Sequence, residues 1–310
     1  MLKTARVGAK VSACLTAQRV HVLLNAPKRL RELMKTTPLI WAPGVFDGYS
    51  ARIANAEGFP ALYMTGAGTA GSRLGHADLG LTTMTEMVEN ARMIASVIDV
   101  PLIADADTGF GGSINVARAV HLYEQAGVAA IHIEDQTFPK RCGHLEGKTV
   151  CSLDEWHARI HAATRERYNR DFVIIARTDA NAVNGFDDAL NRIKIGFAAG
   201  ADVGFLEAPT SMEQIDRIIK EAPGPMLLNV VANGKTPMLT VDQVRDLGFR
   251  FAIWPGALNR AAIAAMQAAV REFKQTGTDQ HTSVGLGPTE IFEILGLSET
   301  LAIDTRAQQR

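Results

Sequence analysis

With 310 residues, 47% of them hydrophobic, the chain can form one large domain or two ordinary ones around a substantial core. Lys and Arg number 32 against 33 Asp and Glu, and no block of like charge is long enough to serve as a nucleic-acid-binding tail. Three cysteines (Cys14, Cys142, Cys151) are too few for a disulfide framework and point to a reducing, cytoplasmic setting, and no apolar run reaches the length of a membrane span.

The first 31 residues contain no Asp or Glu but carry Lys3, Arg6, Lys10, Arg19, Lys28, Arg29 and Arg31. Organellar transit peptides, including mitochondrial ones, and mobile basic arms share this composition. Arg29-Leu-Arg-Glu-Leu-Met34 reads as the start of a folded helix, which puts the boundary between a basic arm (1–28) and a single folded domain (29–310) at residue 28.

From residue 38 onward eight short apolar runs follow: Leu39–Ala42, Ala61–Thr65, Leu102–Asp105, Ala130–Glu134, Val173–Arg177, Val203–Glu207, Met226–Val230 and Phe251–Trp254. Between them, Thr85–Val97, Asn115–Ala126, Ser152–Tyr168, Phe186–Ala199, Met212–Glu221, Val241–Leu247 and Gly256–Gln275 read as amphipathic helices. Gly127, Gly200 and Gly248 are placed as helix stops. Regular alternation of eight such units predicts an α/β fold of the closed (β/α)8 type, a TIM barrel. The rival open, doubly wound sheet lacks its G-x-G-x-x-G fingerprint here.

In a barrel of this kind catalytic groups gather at the carboxyl ends of the strands. Those ends carry Tyr63 and Thr65 with Gly66, then Asp105 and Asp107, His132 and Glu134, Arg177 and Asp179, Glu207, Asn229 and Pro255. The stretch Ile103-Ala-Asp-Ala-Asp-Thr-Gly-Phe-Gly-Gly112 is the most informative of them. Strand alternation places Asp105 and Asp107 on one side, where two like charges call for a cation between them, and oxygen ligands suit Mg²⁺, with Mn²⁺ as a substitute. Arg177 suits a bidentate grip on a substrate carboxylate. Singly, each residue has a structural explanation: His132 as a satisfied core histidine, Glu207 as a partner for Arg177, the Asp pair as a solvated strand end. Seven coincident strand ends are harder to explain that way.

The segment Gln136-Thr-Phe-Pro-Lys-Arg-Cys-Gly-His-Leu-Glu-Gly-Lys148 reads as a mobile lid, with Lys140, Arg141 and His144 lowering the pKa of Cys142 and making it reactive. By composition alone it also fits a basic surface loop with an incidental cysteine. Cys14 and Cys151 are taken as structural.

Six pieces are specific in combination: Tyr63-Met-Thr-Gly-Ala-Gly68, Ala77-Asp-Leu-Gly80, Asp105-Ala-Asp-Thr-Gly-Phe-Gly111, His132-Ile-Glu-Asp-Gln136, Lys140-Arg-Cys-Gly-His144 and Ala176-Arg-Thr-Asp-Ala180. With them the chain resembles the isocitrate lyase and phosphoenolpyruvate mutase superfamily from about Ala42 to about Leu297. The resemblance implies a Mg²⁺-dependent barrel enzyme acting on 2-oxo or 2-hydroxy carboxylates. It also implies a homotetramer, a dimer of helix-swapped dimers, whose last helices around Pro288–Leu295 exchange between subunits. By the same resemblance Asp105 binds the metal directly, and Asp78, Asp107 and Glu134 hold its waters. Thr65, Gly66 and Ala67 bind the α-carboxylate, Arg177 and Gly143 assist, and Glu207, Asn229 and Arg260 wall the remainder of the substrate. Cys142 becomes the general acid, with His144 beside it in the lid, and Tyr63 the base, its pKa lowered by the metal.

Three departures narrow the branch. After Lys140-Arg-Cys-Gly-His144 the chain continues Leu145-Glu-Gly-Lys148, like dimethylmalate lyases and oxaloacetate hydrolases, where methylisocitrate lyases have Arg-Pro-Asn-Lys. Pro288-Thr289 stands where methylisocitrate lyases carry an arginine for a third carboxylate, and Pro255 stands where oxaloacetate acetylhydrolases place a serine. The expected activity is cleavage of a 2,3-dimethylmalate-like substrate to a 2-oxo acid such as pyruvate and a second carboxylic acid, with Trp254 and Leu258 shaping the pocket for the C3 group. The alternatives are oxaloacetate decarboxylation or hydrolysis, 2-methylisocitrate cleavage, and a non-catalytic barrel that only binds.

Overall fold

Eight short parallel strands close on themselves in a computed structural model that describes residues 15–282 and 285–308. They are β1 (Ile40–Val45), β2 (Leu62–Met64), β3 (Leu102–Asp105), β4 (Ala130–Glu134), β5 (Val173–Thr178), β6 (Val203–Leu206), β7 (Met226–Asn229) and β8 (Phe251–Trp254), each paired with the next and β8 with β1. The predicted (β/α)8 barrel is therefore the fold. Because helices cover the outside and side chains fill the inside, nearly every strand residue is buried, which is why the runs read as continuously apolar. Ile40, Ile103, Val173, Ile175, Phe205, Leu227 and Phe251 pack inside the barrel. The β4–β5 register sets Glu134 opposite Arg177, so two strand-end groups of opposite charge share one rim.

The helices are α1 (Leu15–Thr36), α2 (Gly48–Ala56), α3 (Gly66–Leu74), α4 (Met84–Ser96), α5 (Ser113–Gln125), α6 (Leu153–Glu166), α7 (Phe186–Ala198), α8 (Met212–Glu221), α9 (Val241–Asp246), α10 (Ala257–Thr276), α11 (Pro288–Ile294) and α12 (Leu297–Gln308). Gly127, Gly200 and Gly248 follow α5, α7 and α9 with φ of 82°, 100° and 94°, the left-handed geometry expected of helix stops. Two helices, α2 and α3, were not anticipated. The α3 sequence, Gly-Ala-Gly-Thr-Ala-Gly-Ser-Arg-Leu, has too little apolar periodicity to read as a helix. Tertiary contacts hold it: Thr65 caps it by accepting from Gly68 N, and the buried Asn90 Nδ2 donates to Thr69 Oγ1 at 3.0 Å.

Helix α1 runs from Leu15 through Pro27 to Thr36, across the expected boundary at residue 28. Ala26 and Leu30, 4% and 0% exposed, close the amino-terminal end of the barrel against its interior cluster. Arg31 Nε donates to Asp171 O at 3.0 Å and its Nη2 pairs with Asp202 at 2.8 Å, while the Arg29 guanidinium donates to Asp99 O. Arg29 and Arg31, the first two basic residues beyond the expected arm, thus fasten α1 to the barrel. Cys14 and the first three basic residues lie outside the described residues.

No residue of α10, α11 or α12 is buried, and Met266, Val270, Phe273 and Phe292 are exposed. Within one chain α11 and α12 lie near α2, with Arg52 Nη1 3.3 Å from Glu299 Oε2. Among the described residues no helix is long and apolar enough to cross a membrane.

Candidate active site

The carboxyl rim of the barrel encloses a cavity of about 210 Å³. Tyr63, Thr65 and Ala67, then Asp78, Asp105, Cys142, Gly143, His144 and Arg177, then Glu207, Asn229 and Arg260 all line it, so twelve of the residues singled out in the sequence converge on one space. Asp107 and Glu134 stand just behind that wall, and Gly66 supports it. A Cβ on Gly66 would sit 2.3 Å from Asp105 Oδ2, so only glycine lets the start of α3 close onto that carboxylate. The first amides of α3 have no partner within the helix, and at Gly66 and Ala67 they make a natural seat for a carboxylate.

The acidic pair is built differently from the strand alternation expected of it. Strand β3 ends at Asp105, and Asp107 lies beyond it with φ of 47°, its amide donating to Asp105 Oδ1 at 2.9 Å. A tight turn, not the pleat, brings the carboxylates together. The cation beside them is the ammonium of Lys140, 2.5 Å from both Asp78 and Asp107. Burial opposes charge on Asp105, but His132, Lys140 and Arg177 outweigh it and hold the carboxyl at about 2. Burial together with Asp105 and Asp78 pushes Asp107 up to about 7 in spite of Lys140.

Among the described residues no three His, Cys, Asp or Glu side chains form a ready metal cage. A Mg²⁺ ion asks for less, since it keeps several waters and takes one or two carboxylates plus substrate oxygens. Four carboxylates, Asp78, Asp105, Asp107 and Glu134, meet at this rim, and Glu134 Oε1, on a residue only 1% exposed, has no hydrogen-bond partner. An unpartnered buried carboxylate oxygen is costly without a cation or water to meet it, so the residues present fit an oxygen-liganded divalent ion.

The phenol of Tyr63 lies 2.9 Å from His132 Nε2. Burial, with Asp105 adding to it, raises the phenol well above its ordinary range, so the lowering expected of Tyr63 rests on a bound metal. Burial likewise holds His132 down to about 4, leaving a neutral imidazole able to accept from the phenol.

Arg177 is held firmly. Its Nε and Nη2 lie 2.9 and 3.3 Å from the two oxygens of Asp179, and Nη2 also reaches Glu134 at 3.2 Å and Glu207 at 3.5 Å. These contacts engage Nε and Nη2 and leave Nη1 as the nitrogen they do not use. Asn229 Nδ2 donates to both Glu207 oxygens, at 3.1 and 3.3 Å, and the remaining polar atoms Asn229 Oδ1, His144 Nε2 and Asn259 Oδ1 are buried without a hydrogen-bond partner.

The cysteine segment lies closed over the cavity. Gln136 brackets Arg141, accepting from its N at 2.9 Å and donating to its O at 2.8 Å, and Cys142 N donates to Asp78 O at 3.2 Å. The expected activation of Cys142 by its basic neighbours does not occur. Lys140 is turned to the carboxylates, Arg141 bonds Glu146 O, and burial pushes the Cys142 thiol up, not down. A thiol that stays protonated near neutral pH is a poor nucleophile but a serviceable proton donor. Cys151 is 3% exposed and its thiol is pushed by burial up to about 11, in keeping with a structural role.

Trp254 and Leu258, expected at the pocket for a C3 group, are elsewhere. Trp254 packs edge-on against Trp41, and Leu258 joins the outer core. Val231, Pro255 and Asn259 line the cavity instead. Asn259 was not readable because it sits one turn into α10, where only the barrel geometry turns it inward.

Residues 30–274 match the family model for phosphoenolpyruvate phosphomutase. The chain belongs to the phosphoenolpyruvate mutase and isocitrate lyase superfamily. It is 45% identical over 243 residues to the 2,3-dimethylmalate lyase of Eubacterium barkeri, covering 78% of this chain and 84% of that protein. The 2-methylisocitrate lyase of Aeropyrum pernix is 43% identical over 268 residues, 86% of each chain. Among solved structures, oxaloacetate acetylhydrolase with the inhibitor 3,3-difluorooxalacetate superposes with a TM-score of 0.89 at 43% identity, covering 93% of this chain and 98% of that one. Membership in the superfamily agrees with the resemblance carried by the six sequence pieces, and these relatives share the barrel whose rim is described above.

Proposed function

We propose that this protein is a Mg²⁺-dependent carbon–carbon lyase that splits a substituted 2-hydroxy dicarboxylate, of the 2,3-dimethylmalate type, into a 2-oxo acid and a second carboxylic acid. The observation that carries this reading is the position of a protonated Cys142 thiol on the same cavity wall as Tyr63, Asp105 and Arg177. Asp105 would hold the metal directly, and Asp78, Asp107 and Glu134 would hold its waters. The ion would supply Lewis-acid polarisation of the substrate's C1 carboxylate and C2 oxygen.

The chain's own groups do the rest. The start of α3 and Arg177 fix the 2-hydroxy acid end of the substrate. Tyr63, as a phenolate that the bound metal would stabilise, takes the C2 hydroxyl proton while His132 Nε2 orients its oxygen, and the freed electron pair forms the C2 carbonyl as the C2–C3 bond breaks. The pair from that bond is left on C3 next to the second carboxylate, and the Cys142 thiol protonates C3. His144, Glu207 and Asn229 face the departing acid, and the closed segment 136–148 keeps bulk water from intercepting the carbanion. An assay of pyruvate released from 2,3-dimethylmalate, alongside 2-methylisocitrate and oxaloacetate, tests the reading. Turnover of oxaloacetate to oxalate and acetate or to carbon dioxide, with none of dimethylmalate, would replace it. That second reading rests on the likeness to oxaloacetate acetylhydrolase, and Pro255 on the cavity wall, where the hydrolases are expected to present a serine, speaks against it.

The unburied faces of α10, α11 and α12 support a homotetramer in which the last helices of paired subunits cover one another.

A further inference from the structure

Lys148 ends the cysteine segment, and its side chain is only 1% exposed. Burying an ammonium costs several kcal/mol unless its donors are met, and an apolar side chain would fill the same space more cheaply. The donors are met by two acceptors from different elements: the carbonyl of Gly143, adjacent to Cys142, and Asp179 Oδ1 at 3.1 Å. Asp179 is the carboxylate that also holds Arg177 through both oxygens. It is itself immobilised, since its amide donates to Asp135 Oδ1 at 2.8 Å while Asp135 Oδ2 accepts from Thr178 Oγ1 at 2.6 Å and Arg192 Nη1 at 3.2 Å. At the other end, Gly143 lies so close to the site that a Cβ on it would stand 2.6 Å from Glu207 Cγ and 2.7 Å from Arg177 Nη2.

We propose that Lys148 is a positioning residue: it latches the Cys142 segment to Asp179, so that one buried carboxylate sets both the proton donor and the carboxylate-gripping Arg177 in place. The catalytic consequence rests on the lyase reading above, whereas the latch itself does not. Without the ammonium, Arg177 keeps its bidentate hold on Asp179, but the carbonyl next to Cys142 loses its tether. The segment then opens while the oxo-acid end of the site persists.

The test compares the full-length parent with Lys148→Met and Lys148→Arg. Iodoacetamide labelling is followed residue by residue by mass spectrometry, with kcat and inhibition by oxalate measured in parallel. In Lys148→Met, Cys142 should label about tenfold faster and kcat should fall about tenfold, the equivalent of ~1.4 kcal/mol of lost closure. Oxalate inhibition should stay within about threefold, because Arg177 is still held. Lys148→Arg, which keeps a buried cationic donor, should recover most of both losses. Cys151 reports the fold: if it labels rapidly in Lys148→Met, Lys148→Gln replaces that variant in the same comparison. Labelling of Cys142 within about twofold of the parent overturns the latch whatever happens to kcat. Should the parent prove inactive on every 2-hydroxy acid, the lyase reading fails and the labelling rates alone still decide the latch.

Discussion

Tyr63 Oη lies 2.9 Å from His132 Nε2, and the same imidazole turns Nδ1 toward Asp105 Oδ1 at 3.8 Å. The buried ring therefore bonds the phenol directly, while its Nδ1 stands beyond hydrogen-bond distance of the carboxylate that faces the cavity. Replacing Tyr63 by Phe removes the proton acceptor without altering the cavity's shape. The expected loss in kcat is about 10²–10⁴-fold, with oxalate affinity nearly unchanged. Because burial holds His132 at about 4, its ring should still be neutral at pH ~5.5, more than a unit below the ordinary value of about 6.5. Ring resonances that titrate near 6.5 and vanish in a His132→Gln comparison would show that burial does not hold this ring neutral beside Tyr63.

For Cys142 the sign of the pH effect follows from its raised pKa. The donor must be protonated, so activity should survive through the range where an ordinary thiol ionises, about 8.5, and decline only at higher pH. Cys142→Ser, with a far less acidic hydroxyl in the same place, should lower kcat by at least about a hundredfold while leaving metal and oxalate binding intact. A serine variant within tenfold of the parent, or an alkaline limb below pH ~8 that this variant abolishes, contradicts the assignment.

Chelation provides the next check. Treatment with EDTA should abolish turnover and added Mg²⁺ should restore it. Calorimetric titration should show Asp105→Asn nearly unable to bind the ion. Glu134→Gln and Asp107→Asn, which act through waters, should weaken it by about 10–100-fold. Affinities unchanged from the parent in all three variants would mean that these carboxylates do not share a cation.

Stability and catalysis separate at the opposite end of the barrel. Leu30 is fully buried against the barrel interior from α1, so Leu30→Ala should destabilise the fold by about 2–5 kcal/mol. Its kcat at low temperature should match the parent's. A melting temperature unchanged by this substitution would show that α1 is not part of the folded unit.

The sequence by itself determined the architecture and the roster of the site. Parallel strands buried on both faces must be apolar throughout, glycines must end helices where φ turns positive, and the polar residue that follows each apolar run must emerge at one rim. These are short-range constraints, written within a few residues of one another, and they bring Asp105, Arg177, Glu207 and Asn229 to one cavity, with Glu134 behind its wall.

What the tertiary structure decided was which of these groups touch and what charge each can carry. Only the closed barrel brings Lys140 between Asp78 and Asp107, takes it away from Cys142, and buries the thiol so that its pKa rises. Lys148 meets Asp179 across 31 positions of sequence, and Asn90 reaches Thr69 of α3 across 21. Burial and long-range Coulomb contacts set these properties. Both depend on distances through space that the order of residues along the chain does not contain.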